Sequence, residues 1–550
     1  MESARSNRVM PLALTLLLVV GVIAAFVLLR SSEDGSPTGH AIGVTPPTPP
    51  PNVLLIVADD MGVDKLSAYA DDIDPDYREE ADNLPETPVI DTLVTAGVRF
   101  TDAWSNPTCS PTRGALFTGN HGFRTGVGKP VGNEDASNLQ RSATTIAETL
   151  NLEGYTSGMF GKWHLGENET PEGWTEEDGW EALVGEQVTF ESEPILQGWD
   201  MFCGSIDGTL DGYDGRGYYS WIAVEDEGCE GCSELQVIEF TEYATIQAVD
   251  DAIGWANAQE GPWMASLTLN APHKPFELPP EGCSYRPEGD EAPTHSGGIY
   301  KEMVECIDIQ LGVLFAGIEE MDNTLIIFVG DNGTVSSISE GVYRDDRGKG
   351  TLYESGVRVP LVIADGQAFL EQDPDYADAR DMFGAGKGAG KADRPRIQPR
   401  AEHVADPGSE SAELAHVVDI FATIAEAAGA QSNTGLDGIS LLPQLSDVEG
   451  PVREVVYSEG FSSTGTGTYA LRKGNWKIIG GVQRSGVRYC PTNHKLFDLS
   501  ADRLESEDLL SGDSANANAE AAYQDLLSEL DALAEAAEAR PWFLGDEDCE

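Results

Sequence analysis

Short, uninterrupted apolar runs recur along the chain, and each stops abruptly at residues bearing a charge or an imidazole. Residues 53–57 (VLLIV) stop at Ala58-Asp59-Asp60, and residues 155–160 at Gly161-Lys162-Trp163-His164. Residues 264–269 stop at Asn270-Ala271-Pro272-His273, and residues 325–329 at Gly330-Asp331-Asn332-Gly333. Apolar runs of this length predict strands buried on both faces. Between them the period becomes helical. Val89, Ile90, Leu93 and Val94 share a face that Gly97 is placed to end; Thr145 and Glu148 have capping-box spacing, with Gly154 to close that helix. Ile299, Met303, Ile307, Leu311, Leu314 and Ile318 mark a long amphipathic helix. Residues 416–429 read as one more helix and the GLDGISLLPQL that follows as a loop.

Strands alternating with helices predict an α/β fold: a large mixed, mostly parallel sheet sandwiched by helices. In such sheets ligands sit beyond the carboxyl ends of the strands, where these Asp, Lys, His and Asn residues fall. From about residue 451 the style changes to short alternating segments with turns (REVVYSEG, GTYALRKGNWKIIGG, HKLFDLS), which predict a smaller C-terminal antiparallel-sheet subdomain. Residues 516–540 read as a terminal Ala/Glu/Leu-rich helix.

The first 51 residues follow other rules. An apolar run over residues 10–29 is long enough to cross a bilayer, Arg5 and Arg8 precede it, and Glu33 and Asp34 follow. It reads as an uncleaved signal anchor that leaves the rest of the chain extracytoplasmic (periplasmic, lumenal or extracellular); cleavage and secretion are the alternative. Residues 31–51 end in TPPTPPP, a semi-rigid spacer. The expected domains are a stub and anchor at 1–30, a linker at 31–51, a catalytic domain at 52–445 and the small-sheet subdomain with its terminal helix at 446–550.

Charge narrows the function. With 34 basic against 94 acidic residues the net charge is −60, which argues against nucleic-acid binding. Lysines number only 11, so those inside motifs carry more information. Eight cysteines in an exported chain make disulfides possible. Cys229 and Cys232 form a CxxC without the second pair a zinc site needs, so a structural disulfide is the better reading, its partners unreadable.

Two pairs at buried strand ends, Asp59-Asp60 and Asp331-Asn332, offer four hard oxygen ligands suited to Ca2+, or to Mg2+ with waters. Lys162, His164, His273, Lys349 and Arg113 on strand-end loops would form a positive pocket for a tetrahedral oxyanion, which a carboxylate-held metal would complete. One cysteine, Cys109, lies in a polar, turn-forming stretch, TCSPTRGALFTG (residues 108–119). It has no local signature of a plain thiolate nucleophile.

The motifs VLLIVADD, PTCSPTRGALFTG, GYTSGMFGKWHLG, GWDMFCG, NAPHKPF, IIFVGDNG, GKGTLYESGVRVP, LDGISLLPQL, LRKGNWKII and LFDLS stand in that order between about residues 51 and 500. Together they resemble the formylglycine-dependent sulfatases (arylsulfatase-like enzymes of the alkaline phosphatase superfamily). The resemblance implies that a formylglycine-generating enzyme oxidises Cys109, within Cys-x-Pro-x-Arg, to Cα-formylglycine. The hydrate then attacks sulfate and forms a sulfo-enzyme. It implies one Ca2+ held by Asp59, Asp60, Asp331 and Asn332 beside modified Cys109. It also implies that Arg113 orients the hydrate, that Lys162 and Lys349 bind sulfate, that His164 is the base regenerating the aldehyde, and that His273 binds sulfate and protonates the leaving alcohol.

Departures are small: Ser355-Gly356 stands for the family's Gly-Gly, and Gly330 precedes Asp331 where Ser is usual. Residues 166–194 read as an acidic insertion that could contribute to the pocket rim. The alternatives are a phosphonate or phosphodiester hydrolase of the same superfamily, and a membrane-tethered glycan-binding protein with Cys109 unconverted. The sulfate ester itself is expected to be small or a chain end, because a charge of −60 repels long polyanions at low salt.

Overall fold

The structure, a computed structural model, describes residues 50–73, 84–133, 136–166, 187–188, 193–210, 217–225, 235–339, 343–344, 346–372, 403–430, 435–446, 452–462, 467–485, 488–511 and 517–536. The apolar segment 10–29, most of the Pro-rich spacer, most of the 166–194 insertion, Cys229, Cys232 and Cys549 lie outside the described residues. No helix among the described residues is long and apolar enough to cross a membrane.

The strands of the main sheet are β1 (Asn52–Ala58), β2 (Gly97–Phe100), β4 (Thr156–Lys162), β5 (Gln187–Val188), β6 (Met201–Ser205), β7 (Trp221–Glu225), β8 (Leu235–Phe240), β9 (Trp263–Thr268), β10 (Thr324–Gly330), β11 (Leu361–Asp365) and β12 (Ser409–Ser411). β3 (Ala103–Trp104) and β13 (Ala415–His416) pair separately. The main sheet runs β12-β2-β11-β10-β1-β9-β4-β6-β7-β8-β5. Its centre, β10 through β6, is parallel. Antiparallel pairs join β11 to both its neighbours and build the β6-β7-β8-β5 flank. This is the expected large mixed sheet, its parallel pairs concentrated in the core.

The apolar runs are continuous because the sheet is covered on both faces. Leu54, Ile56 and Ala58 of β1 enter one hydrophobic cluster with the helices Pro88–Ala96, Ala244–Ala258 and Ser296–Gly317. Val53, Leu55 and Val57 enter the opposite one with Cys109–Thr118, Ile146–Asn151 and Val418–Ala427. All seven β1 residues are buried. At about 1.5–3 kcal/mol per buried aliphatic side chain, a polar substitution on either face would be costly. The capping box is formed: the Thr145 side chain accepts from the Glu148 N–H, and the Glu148 carboxylate accepts from the Thr145 N–H.

β14 (Val455–Phe461), β15 (Gly467–Lys473), β16 (Trp476–Ser485) and β17 (Arg488–Asp498) form the expected C-terminal antiparallel sheet, in sequence order. The terminal helix Ala517–Ala536 covers one of its faces through Leu526 and Leu530. Val456 and Ala470 turn the other way, toward Trp104, Leu352 and Val357. Lys477 fastens the two parts, its buried ammonium 3.0 Å from Glu354 and 2.9 Å from Glu505. Residues 49–550 form one compact unit.

Two local expectations are corrected. The GLDGISLLPQL loop contains a helical turn, Leu442–Leu445, with proline near its start where no backbone donor is needed. Cys109 does not sit in a turn: it is the first residue of a ten-residue helix, Cys109–Thr118, every residue of which is buried.

Candidate active site

The parallel order β10-β1-β9-β4 places four strand ends side by side. Ala58 is in register with Gly330, so Asp59-Asp60 and Asp331-Asn332 leave the sheet together. On the other side of β1, the Asp59 N–H donates to the carbonyl of Ala271 at 3.1 Å, drawing in the turn that carries His273. Lys162 ends β4, two strands from β1.

Cys109 meets this edge from its helix. Its thiol donates to Asp59 Oδ1 at 3.4 Å, and Lys349 Nζ donates to its sulfur at 3.3 Å. Lys349 also pairs with Asp60 Oδ1 at 2.5 Å. Lys162 pairs with Asp59 Oδ2. Arg113 Nη2 donates to Asp331 Oδ2 at 3.2 Å and lies 3.7 Å from Asp59, while its Nη1 donates to the Lys162 carbonyl at 2.7 Å. Asp331 Oδ1 accepts the Asp60 N–H at 3.0 Å, and Asn332 Nδ2 donates to Asp60 Oδ1 at 2.8 Å. His273 Nε2 lies 3.7 Å from Asp60 Oδ2. Every site residue named from sequence is buried except Lys349, which is slightly exposed. Nine of the ten form one connected set: Cys109, Asp59, Asp60, Asp331, Asn332, Arg113 and His273, bridged by Lys162 and Lys349.

Burial and charge set the protonation states. Burial alone would raise the Asp59 carboxyl, but Lys162, His273, Arg113 and Lys349 together hold it well below the usual range. Burial and then Asp59 push the Cys109 thiol up to about 12, so it is no thiolate. Burial and the Asp59 charge raise Asp331 to about 7. Burial opposes charge on Lys349, but Cys109, Asp60 and Asp59 keep its ammonium firmly protonated.

The two histidines are held in opposite senses. His273 Nδ1 lies 2.8 Å from the Lys274 carbonyl. A carbonyl only accepts, so Nδ1 carries the proton and Nε2 faces the site. His164 Nε2 lies 3.1 Å from the Val131 carbonyl, which leaves Nδ1 as its lone-pair nitrogen; Nδ1 is buried and has no hydrogen-bond partner among the described residues. Burial, then Lys162 and Arg113, hold His164 well below its usual pKa, and burial lowers His273 too. His164 also adopts a left-handed backbone (φ 57°), and a Cβ on Gly208 would stand 2.5 Å from its ring. Only glycine lets the backbone pass that closely.

A cation fits these residues. Ligand atoms of Asp59, Asp60, Cys109 and His273 lie within 4.8 Å of one another. The amide oxygen of Asn332 is buried without a hydrogen-bond partner among the described residues, which is costly unless something accepts its lone pairs. Carboxylate and amide oxygens make a hard donor set.

The sequence reading missed two tyrosines. Tyr300 donates to the Asp60 carbonyl at 2.8 Å, supporting a residue held at φ 66°. Tyr218 donates toward the carbonyls of Asn270 and His273, each at 2.8 Å. The only sequence signal for Tyr300 is a polar-tipped aromatic on a buried helix face. Tyr218 has no local signal at all.

A family model described as Sulfatase matches residues 51–430. Among curated proteins, the chain is 27% identical to arylsulfatase A of Bos taurus over 498 residues, covering 84% of this chain and 83% of that protein. It is 26% identical to N-acetylgalactosamine-6-sulfatase of Sus scrofa over 479 residues, covering 82% and 77%. Among solved structures, BT4656 in complex with its substrate D-glucosamine-2-N,6-O-disulfate is similar at TM-score 0.62 and 17% identity, covering 90% of this chain and 100% of that one. The fold is shared at this identity.

Proposed function

Because the chain belongs to the sulfatase family and is a sulfuric ester hydrolase, we propose that it cleaves aryl or carbohydrate sulfate monoesters to alcohol and inorganic sulfate through a formylglycine hydrate at Cys109. The observation that carries this reading is the setting of Cys109 Sγ, between the Lys349 ammonium and the Asp59 carboxylate. The sulfur marks where a hydrate oxygen on the same Cβ would stand.

Lys162, Lys349 and His273 hold the sulfate oxygens. One hydrate hydroxyl attacks sulfur and gives its proton to Asp59 Oδ1, the carboxylate oxygen that the Cys109 thiol contacts. The ester S–O bond breaks, and His273, entering as the imidazolium that the bound sulfate's negative charge favours, gives the leaving oxygen its Nε2 proton. The second hydroxyl then gives its proton to His164 Nδ1, the aldehyde re-forms, and sulfate departs with the bridging oxygen. Water restores the hydrate. Splitting the reaction into two displacements lowers each barrier. Arg113 holds Asp331 and the Lys162 carbonyl, which supports a role in fixing this geometry and orienting the hydrate. Asp59, Asp60, Asp331 and Asn332 would hold a calcium ion beside position 109. When bound, it supplies the positive charge that polarises a sulfate oxygen and acidifies the hydrate.

Residues Cys109 to Arg113 are wholly buried in a helix, which supports oxidation by a formylglycine-generating enzyme before the chain folds. The apolar run over residues 10–29 and the disulfide Cys283–Cys306 support export, with the run as membrane anchor. The charge of −60 favours small esters or chain ends over long polyanions.

The test is co-expression with a formylglycine-generating enzyme. Mass spectrometry of the Cys109 peptide should show loss of the thiol, and 4-nitrophenyl sulfate should be hydrolysed faster than bis(4-nitrophenyl) phosphate. An intact thiol in an active preparation sinks the mechanism. A preference for the phosphodiester sinks the substrate class.

A further inference from the structure

We propose that Tyr218 is a positioning residue for the leaving-group acid, setting how well the enzyme cleaves esters of weakly acidic alcohols. The inference rests on the sulfatase reading, with His273 as the acid.

Tyr218 lies between β6 and β7, far in sequence from every catalytic motif. Its side chain is fully buried, and its hydroxyl sits 2.8 Å from two carbonyls, those of Asn270 and His273. These are the two ends of one turn, which the His273 N–H closes by donating to the Asn270 carbonyl at 3.0 Å. One phenolic proton is thus shared across the turn that carries the acid. The turn's middle is tied to the strand end that carries the acidic pair, by Asp59 N–H on the Ala271 carbonyl. Its position relative to the nucleophile therefore depends on several anchors, the Asn270 amide on Ser205 Oγ at 3.0 Å among them, and Tyr218 grips both ends of the turn from outside the catalytic motifs.

Tyr218 is itself held. Its N–H donates to Glu277 Oε2 at 2.7 Å, and its ring stacks on Tyr243 with centroids 5.2 Å apart. A Cβ on the preceding Gly217 would lie 2.3 Å from the Glu277 carboxylate, so a side chain there would displace the carboxylate that accepts the Tyr218 N–H. Glu277 lies four residues after His273, and so the segment bearing the acid and the segment bearing Tyr218 brace each other.

Proton donation matters in proportion to the leaving group's basicity. A phenolate activated by a nitro group departs almost unaided, whereas an unactivated phenolate or alkoxide needs the proton. Misplacing an acid by about 1 Å costs up to about 100-fold, so loss of the one hydroxyl that grips both ends of the turn, with the other anchors kept, should cost about tenfold where the acid is needed.

The experiment compares the converted wild type, Tyr218→Phe and His273→Ala on substituted phenyl sulfates ranging from 4-nitrophenyl to phenyl. Tyr218→Phe removes only the hydroxyl and keeps the ring stack. We expect its kcat to fall about tenfold more on phenyl sulfate than on 4-nitrophenyl sulfate, a weaker form of the His273→Ala selectivity, with KM nearly constant across the series. Equal losses on both esters, or no loss on either, would overturn the positioning role, and a melting curve identifies a folding defect as the source of equal losses. A wild type inert toward the whole series, with Cys109 converted, would instead overturn the underlying sulfatase reading.

Discussion

Lys349 Nζ lies 3.3 Å from Cys109 Sγ and 2.5 Å from Asp60 Oδ1, so one ammonium touches both the proposed nucleophile position and the acidic pair. It comes from a loop more than two hundred residues away in sequence. Its charge is fixed because Cys109, Asp60 and Asp59 outweigh burial. Lys349→Ala should raise KM and lower kcat together for 4-nitrophenyl sulfate. A charged hydrogen bond contributes about 1.5–3 kcal/mol, so kcat/KM should fall about 10- to 100-fold. Lys349→Arg should recover little, since a planar guanidinium does not fit a site built around a point charge. Steady-state kinetics of the two variants check this.

Cys109 gives a second expectation, about the unconverted chain. The thiol is buried, and burial with Asp59 pushes its pKa up to about 12. Folded protein made without the maturation enzyme should therefore resist iodoacetamide at pH 8 and react only on unfolding. Cys109→Ala should abolish turnover while leaving the melting temperature nearly unchanged. Rapid alkylation of the folded thiol would show that the site is more open than the structure has it.

Much of this site was legible in the sequence because buried parallel strands are unbroken apolar runs, so their ends are sharp. Asp59, Asp331, Lys162 and His273 all stand at such ends, and the order β10-β1-β9-β4 makes four ends neighbours. That order is set by tertiary pairing and has no local sign. The antiparallel β7 and β8 were not foreseen, since they belong to the flank of the sheet and not to its doubly covered centre. Tyr218 and Tyr300 were invisible for a related reason. Each acts through a hydroxyl on a distant carbonyl, and nothing in their neighbouring residues marks which carbonyl that is. Cys109 was misread as lying in a turn because Ser110, Pro111 and Thr112 suit a turn as well as a helix start; proline is tolerated in the first turn, where donors are unpaired anyway.

Gly208 tests the assignment of His164. A methyl group there would stand 2.5 Å from the imidazole and force it aside. Since His164 Nδ1 is proposed to take the proton that releases sulfate, Gly208→Ala should slow the second displacement more than the first. Intact-protein mass spectrometry during turnover should then show a sulfated enzyme, about 80 Da heavier, that the wild type does not accumulate. A variant with lower kcat and no such adduct would place His164 elsewhere in the cycle.

His121 sets an acid limit on stability. It is buried against the rings of Phe123, His416 and Tyr457, and its Nδ1 has no hydrogen-bond partner among the described residues. Burial lowers its pKa to about 4, with Asp437 and Asp419 opposing the shift and Arg453 and Arg124 adding to it. The folded state thus prefers the neutral ring, whereas the unfolded chain takes up a proton near pH 6.5. Its contribution is fully present above about pH 6.5 and is lost as pH falls toward 4, an effect of about 2–3 kcal/mol. His121→Phe keeps the aromatic contacts and the backbone N–H that donates to Asp437 at 3.0 Å. Denaturant titrations at pH 7 and pH 4 should show the wild type losing about 2 kcal/mol more than the variant over that interval. Parallel losses in the two proteins would mean that His121 does not govern the acid limb, and that another buried group such as His416, also held well below its usual pKa by burial, does.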